Sequence, residues 1–311
     1  MAATRKVYAQ IEPTYEKPLA FFTDTSGTYT ARRRSSYGRE RVGFTATDMA
    51  TYEDLAWWLQ LAIKGGVTGS GSASTGYTYA FTPSLSTDDL KSMTLEFGES
   101  GNPYEADQVM VNTWTLRGDP DSDTEPAWMF EAEMMGRTIS TTTYTTSLSD
   151  RTTEPITARG TKLYVDTTAG GIGGTQLTGH LINWSLTGNN NIHYKAFAEN
   201  ESNYAANAVG RGERTYDGEV TIEFDSDTTA IGFSKLRSGT ALYLRLEREG
   251  STIATTYKKK LTIDCAAYVS SITFGDREGN MTATVGFNCF YDATLGFDLK
   301  ATVINALSTL A

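Results

Sequence analysis

Histidine and cysteine are nearly absent from this 311-residue chain, which has two of each. His180 and His193 stand alone, with no second ligand or base at a useful spacing. The chain contains no HExxH, no GxSxG, no P-loop and no CxxC. No catalytic, cofactor-binding or metal-ligating residue is therefore expected, and the chain is not expected to be an enzyme. The cysteines, Cys265 and Cys289, lie in the strand-like stretches "LTIDCAAYV" and "VGFNCFYDA". Two thiols are too few for a disulfide framework or a zinc centre, so both are expected as buried free thiols. Long apolar runs are also missing. Nothing approaches the roughly 20 residues of a membrane span, and the opening "MAATRKVYAQIEPTYEK" has no apolar segment after its basic residues. The expectation is a protein made in a cytosol with no membrane partner.

Positive charge is also in short supply. Lys and Arg number 27 against 37 Asp and Glu, a net charge of -10. Residues 1–155 hold 13 cations and 21 anions, so most of the imbalance lies there. Such a chain is a poor clamp for nucleic-acid phosphates. It suits a surface past which DNA moves without sticking.

Period-two alternation dominates the remainder. "KSMTLEFGE", "DQVMVNTWTLRG", "AWMFEAEMMG", "GEVTIEFDSD", "ALYLRLEREG" and "MTATVGFNCFYD" have the pattern of half-buried strands, separated by turns such as "GDPDSD" and "GDREGN". Two segments depart from it. "TYEDLAWWLQLAIKGG" (51–66) has a Thr51/Asp54 start, Leu55, Trp58 and Leu59 on one helical face, and a Gly-Gly stop. "DSDTTAIGFSKLRSG" (225–239) is a poorer helix, capped from Ser226 or Asp227 and weakened by Gly232 by up to about 1 kcal/mol. In the first helix, Leu55, Trp58 and Leu59 are expected to pack on a sheet. Trp57, about 100° away around the axis, is expected to face another subunit.

The stretch from Gly38 through the first helix can be laid over the stretch from Gly212 through the second, and matching strand-turn-strand units follow each. This order of elements implies a tandem duplication. The expected fold is mainly β: two tandem β-sandwich or barrel domains, each with one short flanking helix. The expected boundaries are 1–150 and 161–311, with a linker at 151–160; it ends a Thr/Ser-rich stretch, 138–160, that reads as a linker or as an extended arm pairing with a neighbour. The arginine-rich tip "ARRRSSYGRER" supplies Arg32, Arg33 and Arg34 as candidate contacts to an acidic neighbouring subunit. "GDPDSDTEP" places Asp119, Asp121 and Asp123 on an acidic loop that lacks the central glycine and bidentate acid of a calcium site. "AGGIGGTQ" (169–176) lacks both the spacing and the following helix of a phosphate loop.

Residues 47–137 resemble the major tail, or tail tube, proteins of long non-contractile-tailed bacteriophages. The resemblance is carried by an ordered set: "TYEDLAWWLQLAIKGGVTG", "YTYAFTPSLSTDDLKSMTLEFG", "VMVNTWTLRGD" and "FEAEMMGR". The second half enters through the duplication. The resemblance implies a subunit of stacked rings around a lumen, a virion tail component through which double-stranded DNA passes without sequence-specific binding. It also implies a tape-measure protein, a tail terminator and baseplate or hub proteins as partners. A duplicated chain implies trimeric rings that imitate the hexamers of single-domain members. Two alternatives remain beside it: another virion structural protein, such as a decoration, capsid or baseplate hub component, and a carbohydrate-binding β protein.

Overall fold

The computed structural model describes residues 3–22, 34–86, 90–198, 208–225, 228 and 231–310. The chain is mainly β. Its first half runs through β1 (Gln10–Glu16), β2 (Leu19–Phe22), β3 (Arg34–Tyr37), β4 (Arg41–Met49), α1 (Leu55–Ala62), β5 (Ser70–Ser72), β6 (Gly76–Phe81), β7 (Met93–Glu99), β8 (Asn102–Gly118), β9 (Met129–Gly136) and β10 (Thr138–Thr141). Then follow β11 (Lys162–Asp166), β12 (Gln176–Leu177), β13 (Leu181–Asn189), β14 (Ile192–Lys195), β15 (Ala208–Arg211), β16 (Thr215–Glu223), α2 (Phe233–Ser238), β17 (Leu242–Ala254), β18 (Tyr257–Arg277), β19 (Asn280–Cys289) and β20 (Leu299–Asn305).

Antiparallel pairing joins these strands in a repeated order. β1-β4-β9-β8 is followed directly by β13-β16-β19-β18, eight strands in one continuous sheet. In each set the fourth strand is long and bent. The second part of β8 lies beside β9, and its first part pairs with β7 and β10. The second part of β18 likewise lies beside β19, and its first part pairs with β17 and β20. The bent strands thus supply both layers of a sandwich. Each carries a bulge where it meets its hairpin partner, at 111/113 in β8 and at 269/271 in β18. The arms match as well. β2–β3 opens after a two-residue gap (17–18) and returns through three residues (38–40). β14–β15 does the same through 190–191 and 212–214. β4 starts three residues after Gly38 and β16 three residues after Gly212.

The two halves share one core. β6, which follows α1, pairs with β20 near the C-terminus. An aromatic series crosses from the helix into the second half: Trp58 to Phe130 at 5.2 Å, Phe130 to Trp114 at 6.4 Å, and Trp114 to Tyr216 at 6.1 Å between ring centroids. Glycine makes this junction possible. A Cβ on Gly188 would sit 2.4 Å from the Trp114 ring, and one on Gly118 would sit 2.2 Å from the Trp184 ring. The stretch 151–160 packs into the first half, with Ile156 and Ala158 buried and their backbones bonded to Ala50, Trp128 and Pro126.

The first helix is shorter than its sequence pattern. Thr51 Oγ1 accepts the Asp54 N–H at 3.0 Å and Thr51 O accepts the Leu55 N–H at 3.0 Å, so the opening residues form turns. Regular helix covers Leu55–Ala62, and Gly66 turns the chain away at φ +71°. Leu55, Trp58 and Leu59 are fully buried, and so are their neighbours around the helix except Trp57. A helix buried nearly all round forms part of the sandwich interior and does not cap it from outside. α2 has six residues. Ile231 just before it is buried, Leu236 packs on the core, and Phe233 is exposed beneath the Arg237 guanidinium. The expected caps Ser226 and Asp227 lie outside the described residues; Gly239 ends the helix at φ +60°. Cys265 is buried and Cys289 half-buried, both as free thiols.

Candidate functional site

Alternation along the eight-stranded sheet divides its side chains between two faces. In β4, Val42, Phe44, Ala46 and Asp48 point to the core, which turns Arg41, Thr45, Thr47 and Met49 outward. In β9, Phe130, Ala132 and Met134 point in, leaving Glu131 and Glu133 on the outer face. β8 buries Trp114 and Leu116 and presents Thr113, Thr115 and Arg117. β13 presents Ser185 and Thr187, and β16 presents Glu219, Thr221 and Glu223. On these five strands the outer face is therefore made mostly of hydroxyls and carboxylates, with Met49 exposed at its margin. Thr115 and Thr187 meet across strands with hydroxyl oxygens 3.0 Å apart, as do Thr221 and Thr284.

Arg41 and Arg117 are the cations on this face among these strands. Arg117 is held by Glu131 at 2.7 Å and Glu125 at 2.5 Å. Its hydrogen bonds to the two carboxylates push the guanidinium pKa up, and the Glu125 carboxyl is pulled down in turn. Among the described residues, Glu133, Glu219 and Glu223 form no ion pair. Among the described residues of these strands, the carboxylates of the face outnumber its cations, Arg41 and Arg117, on a bed of threonine. The face offers hydrogen bonds to water and repels polyanions.

The residues singled out from sequence fall in several places. Arg32 and Arg33 lie outside the described residues. Arg34 is exposed in β3 opposite Phe22. Trp57 is half-buried, with the Arg5 guanidinium 5.0 Å above its ring. Arg5 also binds Asp54 and the Leu310 carbonyl, so the N-terminal stretch straps the helix to the end of the chain. Burial beside Arg151 lowers the Arg5 pKa to about 10. Asp119 accepts the Asp121 N–H at 2.9 Å, and Asp121 pairs at 2.5 Å with Arg277 at the end of β18; Asp123 is exposed. No group of three or more metal-type ligands occurs among the described residues. In the glycine-rich loop, the Asp166 carboxylate accepts the N–H groups of Gly174 and Thr175, both at 3.1 Å, and so occupies the donors a phosphate would need. No helix among the described residues is long and apolar enough to cross a membrane.

The carboxylates Glu133, Glu219 and Glu223 were not named from sequence. Their alternation was visible in "FEAEMM" and "GEVTIEF". What the pattern lacked was any sign that the two segments share one face of one sheet.

A family model described as phage tail tube protein matches residues 23–289, most of the chain. No curated protein matches it.

Proposed function

Since the chain belongs to the phage tail tube protein family, and is thus a structural component of a virion tail, we propose that it polymerises into stacked rings whose lumen is lined by the hydroxyl- and carboxylate-covered face of the eight-stranded sheet. Three chains close each ring, every chain supplying two like sets of four strands. Double-stranded DNA passes along the lumen during ejection without sequence-specific binding. Neighbours in the tail are a tape-measure protein, a tail terminator and baseplate or hub proteins. Synthesis takes place in the cytoplasm of the bacterial host.

The observation that carries this reading is the excess of carboxylates over cations on one continuous sheet face. A DNA-binding sheet would place Lys and Arg there. A lumen that must release DNA gains from the opposite sign, because like charge prevents the phosphates from being captured. Electron microscopy of the concentrated protein is expected to show hollow rings or tubes with threefold symmetry down the axis. A strictly monomeric species at every concentration would remove the proposal.

Charge reversal tests the lumen assignment separately. Tubes of Glu133→Lys/Glu219→Lys/Glu223→Lys are expected to retain DNA at low salt and release it as salt rises, with log K falling by about 0.9 per log salt for each phosphate contact. If such tubes handle DNA as the parent does at low salt, this face does not line the lumen.

A further inference from the structure

Three arginines come together at one end of a face that is otherwise mostly hydroxyl and carboxylate. β4 and β9 run antiparallel, and Val42 stands opposite Gly136 where β9 ends. Arg41 and Arg137 lie one residue beyond that rung, and alternation turns both to the side of Thr45, Glu131 and Glu133. Arg39 lies in the short link from β3 to β4. Its guanidinium donates to the Tyr194 carbonyl in β14. The Tyr194 hydroxyl in turn reaches the carbonyls of Gln108 and Met135, which fixes the β14–β15 arm beside the end of β9.

Between these elements lies a pocket of about 260 Å³, whose lining includes Arg39, Glu40, Arg41, Arg137 and Tyr194. One water takes up about 30 Å³ of the liquid, so the pocket has room for a tetrahedral oxyanion with part of its hydration. The nearby carboxylates are engaged by other groups. Glu40 pairs with Lys17 at 3.4 Å. Asp107 accepts the Thr138 N–H at 2.9 Å and the Thr138 hydroxyl at 2.8 Å, and stands 3.8 Å from the Arg137 guanidinium. Glu16 lies opposite Arg41 in the β1–β4 ladder, yet Arg41 is exposed and forms no ion pair among the described residues.

The strand framework does not demand these arginines. Glu213 and Thr215 follow Gly212 at the spacing at which Arg39 and Arg41 follow Gly38. The second half thus builds the same start of a strand without the cations.

A carboxylate is satisfied by a single guanidinium fork. Three guanidiniums lining one pocket suit an anion with more oxygens and a tetrahedral shape. We propose that Arg39, Arg41 and Arg137 form an oxyanion site that takes a phosphate group, supplied either as inorganic phosphate or by a DNA backbone. The site lies within a single chain, so it stands apart from the assembly proposed above. It is also compatible with DNA passage. A phosphate contact carries no sequence information, and the carboxylates farther along the face keep a polyanion from settling onto it.

The test is calorimetric titration of the monomeric protein with sodium phosphate at low salt, which is expected to show one saturable site per chain. Acetate at the same concentrations should not bind. Arg41→Gln changes an exposed side chain, so it should keep the parent's thermal midpoint in phosphate-free buffer while weakening phosphate binding roughly tenfold or more. Arg41→Lys should fall between parent and Arg41→Gln, because it keeps the charge and loses the fork. Arg277→Gln, which removes an arginine from the opposite end of the sheet, should bind phosphate as the parent does. A short DNA duplex separates the two sources. Displacement of phosphate by the duplex, with the same dependence on Arg41, assigns the site to the DNA backbone; a duplex that does not compete assigns it to free phosphate. A parent chain without saturable phosphate binding, or binding that acetate reproduces, that Arg41→Gln leaves unchanged or that Arg277→Gln weakens equally, would overturn the site and leave the tube function standing.

Discussion

Trp58→Ala is expected to cost enough stability that little folded monomer survives. Removing a fully buried indole costs about 3–5 kcal/mol through lost transfer energy and the cavity it leaves. The ring stacks on Phe130 and meets Trp57 edge-on, so no neighbour is free to collapse into the gap. The Trp58 Nε1–H also donates to Asp48 Oδ2 at 2.7 Å in a buried site. Without it, a buried carboxylate loses its donor, for about 1–3 kcal/mol more. The sum is comparable to the whole stability of an ordinary domain.

Trp58→Phe separates the two contributions by keeping most of the volume. Burial already raises the Asp48 pKa, and the Trp58 hydrogen bond opposes the rise. An acid whose native pKa is raised binds more protons folded than unfolded. Its effect on stability is therefore most favourable below the ordinary aspartate value and declines as pH climbs through the native value. With phenylalanine the native value moves higher still, so the decline should deepen and extend to higher pH. Urea midpoints across pH, measured under conditions that keep the protein monomeric, check both. A Trp58→Ala loss below about 2 kcal/mol, or a Trp58→Phe profile parallel to the parent's, would contradict this account.

Lys259→Met is expected to be the second large loss, about 3–5 kcal/mol, because it strands the buried Glu53 carboxylate without its cation. Lys259 in β18 reaches Glu53 before α1 at 2.6 Å and Glu154 at 3.0 Å. The Glu53 side chain is 4% exposed and also accepts the Glu154 N–H. One carboxylate thus holds the helix start, the stretch between the halves and the second half together. Burial works against the Lys259 charge, but its hydrogen bonds to the two carboxylates outweigh burial and raise its pKa. The stabilisation is then full below the ordinary lysine value and is lost as pH rises through the native value. Adding Glu53→Gln removes the stranded charge, so the double variant should recover much of the loss, a strongly non-additive result. Additive losses would show that the two side chains are not coupled.

Much of this architecture is written locally. Strand alternation, the Thr51/Asp54 helix start and the glycine stops depend on neighbours a few residues away, and so survive in a linear reading. The Gly38-to-Gly212 alignment was legible for the same reason, since it compared the order of local elements. The acidic balance was equally open to inspection. Other features were not, because backbone ladders carry no sequence code for their partner. Nothing local announces that β6 pairs with β20, or that β8 and β18 bend so that one strand serves two layers. Trp57 illustrates the limit. Helical geometry placed it off the Trp58 face, and tertiary structure put Arg5 over it.

The sequence by itself determined which residues of each strand share a face, because that follows from a two-residue period. Only the tertiary structure decided which strands stand side by side, because pairing across long sequence separations is settled by packing such as Trp114 over Gly188. The acidic face is a product of that packing.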